Sequence, residues 1–425
     1  MSATSTDEER SRLDAAVKPV DGFFTTFFVS PYSRYIARWA ARRGYTPNQV
    51  TVASFGLGLV SAASFASGER WGLIAGAIVL QVAFVADCVD GQLARYSRQF
   101  SAFGGWLDST FDRAKEWLVF AGLAIGADRA GEAVWVLAGA ALTLQTLRHF
   151  MDFGWQEVRG QAAAELGRWD ANVGAAEWVK RIVAFPIGER FALISITAAI
   201  WSPRTTFTAL LIWGAVAGVY GLAGRVLRSQ RVAPGSGGVL ATLRDDGPIA
   251  RALAPLGAGL EPLALCAAAV APLIVAMAAK GDGASDALVL GVIGWLLIVA
   301  GVTGGRTGAS RLRWIVPVLV RLGEYASLLW VGARAGAEPA AFALVAALAL
   351  RQYDIVYGLR FRGAPVSERL GVVMGGWDGR LVIASLLLVS GALPAGFYVL
   401  AALIAVVFSA AAIRDWSTTK ENVNA

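Results

Sequence analysis

Histidine occurs once in the 425 residues, at His149, and cysteine twice, at Cys88 and Cys266. A single histidine excludes a histidine-built metal site and a Ser-His-Asp triad. The two cysteines lie in or beside apolar runs and give neither a disulfide framework nor zinc-ligand spacing. Charge is scarce too: 16% of residues carry it, where a soluble chain carries about a quarter. Residues 1–20 lack the basic and apolar halves of a secretory signal, being polar and holding Asp7, Glu8, Glu9, Arg10 and Arg12. No cleavable signal is expected, and this stretch reads as a mobile cytosolic tail.

What the chain has instead is apolar sequence. Hydrophobic residues make up 56% of it and the mean hydropathy is +0.55, with long runs at 50–67, 71–86, 287–302 and 395–412. About 20 apolar residues cross the hydrocarbon layer, fewer where flanking side chains snorkel. The pattern predicts an all-α, polytopic transmembrane helical bundle of about twelve spans. They fall at 49–67, 71–90, 105–127, 131–150, 189–203 and 205–225, then at 252–278, 287–303, 314–333, 338–358, 380–393 and 395–413. Pro234-Gly235-Ser236-Gly237-Gly238 marks a flexible joint between the two sets. The expected division is therefore a tail and interfacial helix at 1–48, a transmembrane domain at 49–232, a linker at 233–249 and a second transmembrane domain at 250–425.

Ser30-Pro31 suggests an N-cap and a first helical position. After it, Tyr35, Ile36 and Trp39 lie on one side of a helix and Arg34, Arg38 and Arg42 on another, as in a helix lying on an anionic leaflet. Arg34, Arg38, Arg42, Arg43, Arg95 and Arg98, then Arg159, Arg168, Lys180 and Arg181, and Arg225, Arg228 and Arg231 gather on one side of the map. Arg70, Arg129 and Arg204 are left on the other. By the positive-inside rule the richer side is cytosolic, with both termini and residues 87–112 facing it. The +7 net charge is thus a topology signal, and no nucleic-acid partner is expected.

One short stretch concentrates acid. Asp87-Cys88-Val89-Asp90-Gly91 ends the second span, and Gly104-Gly105-Trp106-Leu107-Asp108 opens the third, with Asp112 one turn on. Carboxylates at a bilayer are costly and mark function. Asp87 and Asp90 share one helix face, as do Asp108 and Asp112, and a short loop brings the faces together. Four converging carboxylates need counter-charge. Hard divalent cations such as Mg²⁺, Mn²⁺ or Ca²⁺ supply it through oxygen ligands. Gly91, Ala94 and Gly104 leave room for a flat base or a phosphate, and Arg95 is a fixed charge suited to phosphate.

The series Asp87-x2-Asp90-Gly91-x2-Ala94-Arg95-x8-Gly104-x3-Asp108-x3-Asp112 resembles the signature of the CDP-alcohol phosphotransferase family without a departure. Thr46-Pro47-Asn48-Gln49-Val50-Thr51 resembles that family's lead into its first membrane helix. The likeness covers residues 30–230. It implies a core of six transmembrane helices, a cytosol-facing metal centre, and transfer of a phosphoalcohol group from a CDP-alcohol to a second alcohol with release of CMP. By position, Asp87, Asp90, Asp108 and Asp112 would hold Mg²⁺ or Mn²⁺, two ions in all, with Asp112 as general base. Asn48, Asp87, Gly91, Ala94, Arg95, Gly104 and Asp108 would bind the nucleotide. The resemblance also implies a homodimer. The resulting expectation is a transferase of phospholipid synthesis at the cell membrane, using CDP-diacylglycerol and a polar alcohol. A soluble CDP-polyol donor is the alternative within the family, and a membrane transporter the alternative outside it.

Lys115 and Glu116 either touch the acceptor or form a local ion pair. Lys180, Arg181 and Arg190 are either a pocket for an acceptor phosphate or ordinary positive-inside residues. His149 reads as a helix-end residue. In the second half, Asp354, Gly358, Arg362 and Gly371 keep the offsets of Asp87, Gly91, Arg95 and Gly104, but Tyr357, Gly375 and Gly379 stand where the other aspartates would be. Duplication is one reading of these offsets, without a second metal site. Arg321, Glu324, Asp354 and Asp378 are intramembrane charges that either serve function or hold helices together.

Overall fold

The computed structural model of the chain describes residues 3–159, 174–229, 238–253, 312–363, 371 and 374–418. Among them every regular element is helical. The α-helices are α1 (Ala3–Ala16), α2 (Ser30–Arg42), α3 (Pro47–Phe65), α4 (Arg70–Ser97), α5 (Ala102–Arg129), α6 (Trp135–Arg159), α7 (Ala175–Val183), α8 (Ile187–Ile200), α9 (Pro203–Ser229), α10 (Gly238–Arg244), α11 (Pro248–Leu253), α12 (Val316–Arg334), α13 (Glu338–Arg362), α14 (Gly376–Val389) and α15 (Leu393–Thr418). Five of them, α4, α9, α12, α13 and α15, are long and apolar enough to cross a membrane. The pair α7 and α8, bent by 68°, makes six if it counts as one span. The protein is an integral membrane helical bundle. The expected spans at 252–278 and 287–303 and the joint at 234–238 lie outside the described residues, apart from 252–253 and Gly238.

The chain forms two compact units: Met1–Ala138 with Arg168–Ala217 and Trp416–Ala425, and Gly139–Gly167 with Gly218–Asp415. The division does not follow the expected linker at 233–249. Most of α6 and the end of α9 belong to the second unit.

In the first unit, α3 starts at a reciprocal cap. Gln49 N–H donates to Thr46 Oγ1 at 3.3 Å and Thr46 N–H to Gln49 Oε1 at 3.0 Å, with Pro47 in the first turn. Ser30 does not cap α2 as expected. A π-helical turn, Thr25–Val29, runs straight into that helix, so the Ser30 N–H is already taken by the Thr25 carbonyl. The small face of α2, Ala37 and Ala40, packs on Val89 and Leu93 of α4. Tyr35, Ile36 and Trp39 stay exposed on its outer face.

The N-terminal stretch read as a mobile tail is helix α1, docked on α2 and α4. Its charges have partners: Asp14 meets Arg34 at 2.6 Å and Glu9 meets Arg42 at 2.7 Å. Leu13 and Ala16 bury against Tyr96, and the Arg12 guanidinium lies 4.7 Å from that ring. α3 and α5 cross closely because Gly122 and Gly126 bring no side chain there. A Cβ on Gly122 would strike the Ala62 backbone carbonyl, and one on Gly126 the Phe65 carbonyl.

In the second unit, α6 packs on α12, α13 and the turn before α12. Gly139 faces Leu329, Trp155 meets Trp314 at 5.6 Å, and His149 Nδ1 is 2.5 Å from the Tyr353 hydroxyl. Asp245, between α10 and α11, is buried at the meeting point of three arginines. Arg351 donates to both its oxygens at 2.6 and 2.8 Å and Arg380 donates at 3.0 Å, with Arg321 at 3.9 Å. Burial pushes the Asp245 carboxyl up, but Arg351, Arg380 and Arg321 outweigh it and hold it at about 2. Glu324 pairs with Arg321 and, at 2.6 Å, with Arg380. Asp378 caps α11 by accepting from the N–H groups of Gly247, Ile249 and Ala250. These charges hold helices together, one of the two readings their positions allowed.

Some local features of α3 and α4 recur in α12 and α13. Each first helix has 19 residues with a proline in its first turn. Each connection has a glycine at positive φ, Gly68 and Gly336. Arg95 lies over Gly91 as Arg362 lies over Gly358. Of the four carboxylates, that of Asp87 alone recurs, as Asp354, while Tyr357, Gly375 and Gly379 stand at the other offsets.

Candidate active site

Two helices of 28 residues each, α4 and α5, carry the acidic stretch. At 1.5 Å per residue each is roughly 42 Å long, more than the about 30 Å of hydrocarbon. The chain reverses over residues 98–101, with Arg98 in the left-handed region at φ 56°. Ser101 then caps α5, its Oγ accepting from Gly104 N–H at 2.9 Å. This tight reversal sets the last turns of α4 beside the first turns of α5.

One carboxylate oxygen each from Asp87, Asp90 and Asp108 lies within 4.8 Å of the others. Asp90 is buried, and its Oδ2 accepts from Thr51 Oγ1 at 2.6 Å. Asp87 Oδ1 accepts from Lys115 Nζ at 2.6 Å, with Ser54 Oγ 3.4 Å away. Asp112, the fourth aspartate of the expected ligand set, stands beside this group. Its Oδ1 is 3.2 Å from Lys115 Nζ, too oblique to hydrogen-bond, and is buried without a hydrogen-bond partner. Three convergent hard-oxygen donors, with a fourth aspartate beside them against Lys115, suit a divalent cation of the Mg²⁺ or Mn²⁺ type. A metal held there is consistent with the sequence reading.

Around this group, Asn48 comes from the first turn of α3. A Cβ on Gly104 would lie 2.8 Å from Asn48 Oδ1, so the two backbones approach closely there. Arg95 donates from Nε to the Ala16 carbonyl at 2.6 Å. Its two terminal nitrogens lie 3.5 Å from where a Gly91 Cβ would be. Ala94 sits in the same last turn of α4, half-buried.

The residues read as an acceptor pocket each have partners of their own. Lys115 is 1% exposed and is engaged with Asp87. Lys180 points outward and pairs with Glu177 at 3.2 Å. Arg181 is buried, its guanidinium 4.6 Å from the Trp178 ring. Arg190 is tied to Glu116 at 2.8 and 3.1 Å, and Glu116 also accepts from Arg113 at 2.8 Å. Lys115, Arg181 and Arg190 are buried, and a lysine or arginine taken out of water needs a carboxylate or carbonyl partner.

Sequence reasoning missed Ser54 and Gly58 and used Thr51 only as part of a helix start. Their signal was a stripe along α3, Thr51, Ser54, Gly58 and Ser61, whose spacing of three and four residues places small and hydroxyl-bearing groups on one buried face.

Residues 44–221 match the family CDP-alcohol phosphatidyltransferase, and residues 235–424 match a family of unknown function, DUF5941. The chain is 32% identical over 161 residues to an archaetidylinositol phosphate synthase of Pyrococcus horikoshii, covering 38% of this chain and 78% of that protein. It is 31% identical over 209 residues to a phosphatidylinositol phosphate synthase of Mycolicibacterium smegmatis, covering 48% of this chain and 86% of that protein. Among solved structures it is similar to phosphatidylinositol phosphate synthase of Mycobacterium tuberculosis with CDP-DAG bound, at 24% identity and a TM-score of 0.33, over 46% of this chain and 91% of that one.

Proposed function

The chain belongs to the CDP-alcohol phosphatidyltransferase family, and we propose that it moves a phosphatidyl group from CDP-diacylglycerol to an inositol phosphate. Membership carries the reaction class: a CDP-alcohol donor, an acceptor alcohol, CMP as product, and a place in phospholipid synthesis. The choice of acceptor leans on the names of the two relatives. One observation carries the chemistry, the convergence of Asp87, Asp90 and Asp108 with Asp112 beside them.

In this reading Asp112 takes the proton from the acceptor hydroxyl, which is a poor nucleophile until a base does so. The freed oxygen forms a bond to the phosphorus nearest the diacylglycerol. The bond from that phosphorus to the bridging oxygen breaks, and CMP leaves with the electron pair. A divalent ion held by Asp87, Asp90 and Asp108 supplies positive charge to the diphosphate when bound. Asn48, Gly91, Ala94 and Gly104 shape the nucleotide pocket, while Arg95, held by the Ala16 carbonyl, faces the phosphates.

The same reading takes in the finer architecture. It has about twelve spans, a six-helix core at 49–232 and a second membrane domain at 250–425. Arginines clustered between spans support a cytosolic site at the cell membrane. A homodimer fits the family core.

The test is CMP release by purified protein given CDP-diacylglycerol, Mg²⁺ or Mn²⁺ and inositol phosphate. Release that needs metal, acceptor and Asp112 is the expected result. Release with a glycerol phosphate acceptor but not inositol phosphate would reassign the acceptor, and release only from a soluble CDP-polyol would reassign the donor.

A further inference from the structure

Lys115 sits in a place made for it. Its stem runs over Gly58, where a Cβ would lie 2.5 Å from Lys115 Cγ and 2.9 Å from Cδ. Its ammonium donates to Asp87 Oδ1 at 2.6 Å and to Ser54 Oγ at 3.0 Å, and stands 3.2 Å from Asp112 Oδ1. Ser54 is itself anchored, donating to the Ala83 carbonyl at 2.8 Å. We propose that Lys115 is a fixed counter-cation standing in for a second divalent ion, so that the substrate-free protein holds one ion, at Asp87, Asp90 and Asp108.

The proposal rests on the metal-dependent reading above and follows from charge and position. Four aspartates and Glu116 face Lys115, Arg113 and Arg190. The ammonium also lies between a ligand of that ion and the base, where a second ion would have to share Asp87 and Asp112. Lys115 is a positioning residue: it holds Asp112 beside the site without touching substrate. An acceptor-binding lysine would need an exposed ammonium, and this one is buried.

The test counts Mn²⁺ bound to the purified full-length protein, by equilibrium dialysis and electron paramagnetic resonance without substrate. One ion per chain is expected in the unaltered protein and two in Lys115→Met. Lys115→Arg, which keeps the charge, stays at one. Gly58→Ala pushes the lysine stem aside without changing any charge and should gain the second ion. A thermal unfolding midpoint identifies any variant that has not folded, and Gly58→Ala then carries the comparison if Lys115→Met fails. Two ions in the unaltered protein, or one ion in every folded variant, overturns the role of Lys115 and leaves the family chemistry standing. No Mn²⁺ in the unaltered protein removes the metal-dependent reading, and this proposal falls with it.

Discussion

Asp112 and Asp87 differ in their neighbours, and the difference predicts distinct losses. Asp87 lies in the three-carboxylate group, whereas Asp112 has a buried oxygen that accepts no hydrogen bond. Asp112→Asn should lower CMP release by about 10²–10⁴-fold, the usual share of a general base, while CDP binding stays close to normal. Asp87→Asn should raise the Mg²⁺ concentration needed for half-maximal rate as well as lower the rate. A metal titration of both variants separates the two roles, and near-normal rates in either would remove its assignment. The aspartates were legible because their spacing is local: two residues three or four apart share a helix face whatever surrounds them. Lys115 was legible as a choice between acceptor contact and ion pair. The ion pair seen is framed by Ser54 and Gly58, residues 61 and 57 positions away on another helix, and no local spacing encodes that crossing.

At the scale of the helix, the crossing of α3 and α5 depends on Gly122. A methyl group there would meet backbone, which cannot rotate away, so Gly122→Ala should cost about 1–3 kcal/mol. The unfolding midpoint in detergent measures this, and an unchanged value would show that the helices separate freely. In the second unit, Asp245→Asn leaves Arg351 and Arg380 buried beside a neutral group. Breaking a buried pair in this way costs about 3–5 kcal/mol. The Asp245 carboxyl is held below its value of about 4 in an unfolded chain. Its contribution is therefore complete above about pH 4 and is lost as the pH falls towards 2. The unaltered protein should lose midpoint through that window and Asp245→Asn should not. Most helices were legible from apolar runs. α1 was not, because among its described side chains the buried apolar ones are Leu13 and Ala16, and its acids read as solvated until Arg34 and Arg42 are seen opposite them.

Over the whole chain, the two family matches, 44–221 and 235–424, leave a gap at 222–234, just before the expected linker at 233–249, while the compact units divide at other places. Composition marks where a chain is expected to bend, as at Pro234-Gly235-Ser236-Gly237-Gly238. It does not mark which later helix an earlier one will pack against. α6 lies within the stretch of the first family yet packs on α12 and α13 through His149, Phe150 and Tyr353. A chain cut at 233 and co-expressed as two pieces should accordingly co-purify. Recovery of two separate, monodisperse pieces would contradict the shared helix.

The shared helix also sets a clock on synthesis. His149 and Tyr353 are 204 residues apart, and a ribosome adds about 5–20 residues per second. For roughly 10–40 s the nascent α6 is in place with its aromatic and imidazole face uncovered. During that interval the chain depends on lipid, or on a helper protein, to shield a surface its own sequence has not yet supplied a partner for. Substitutions that slow the second half should therefore lower the yield of the first, even where the finished site is untouched.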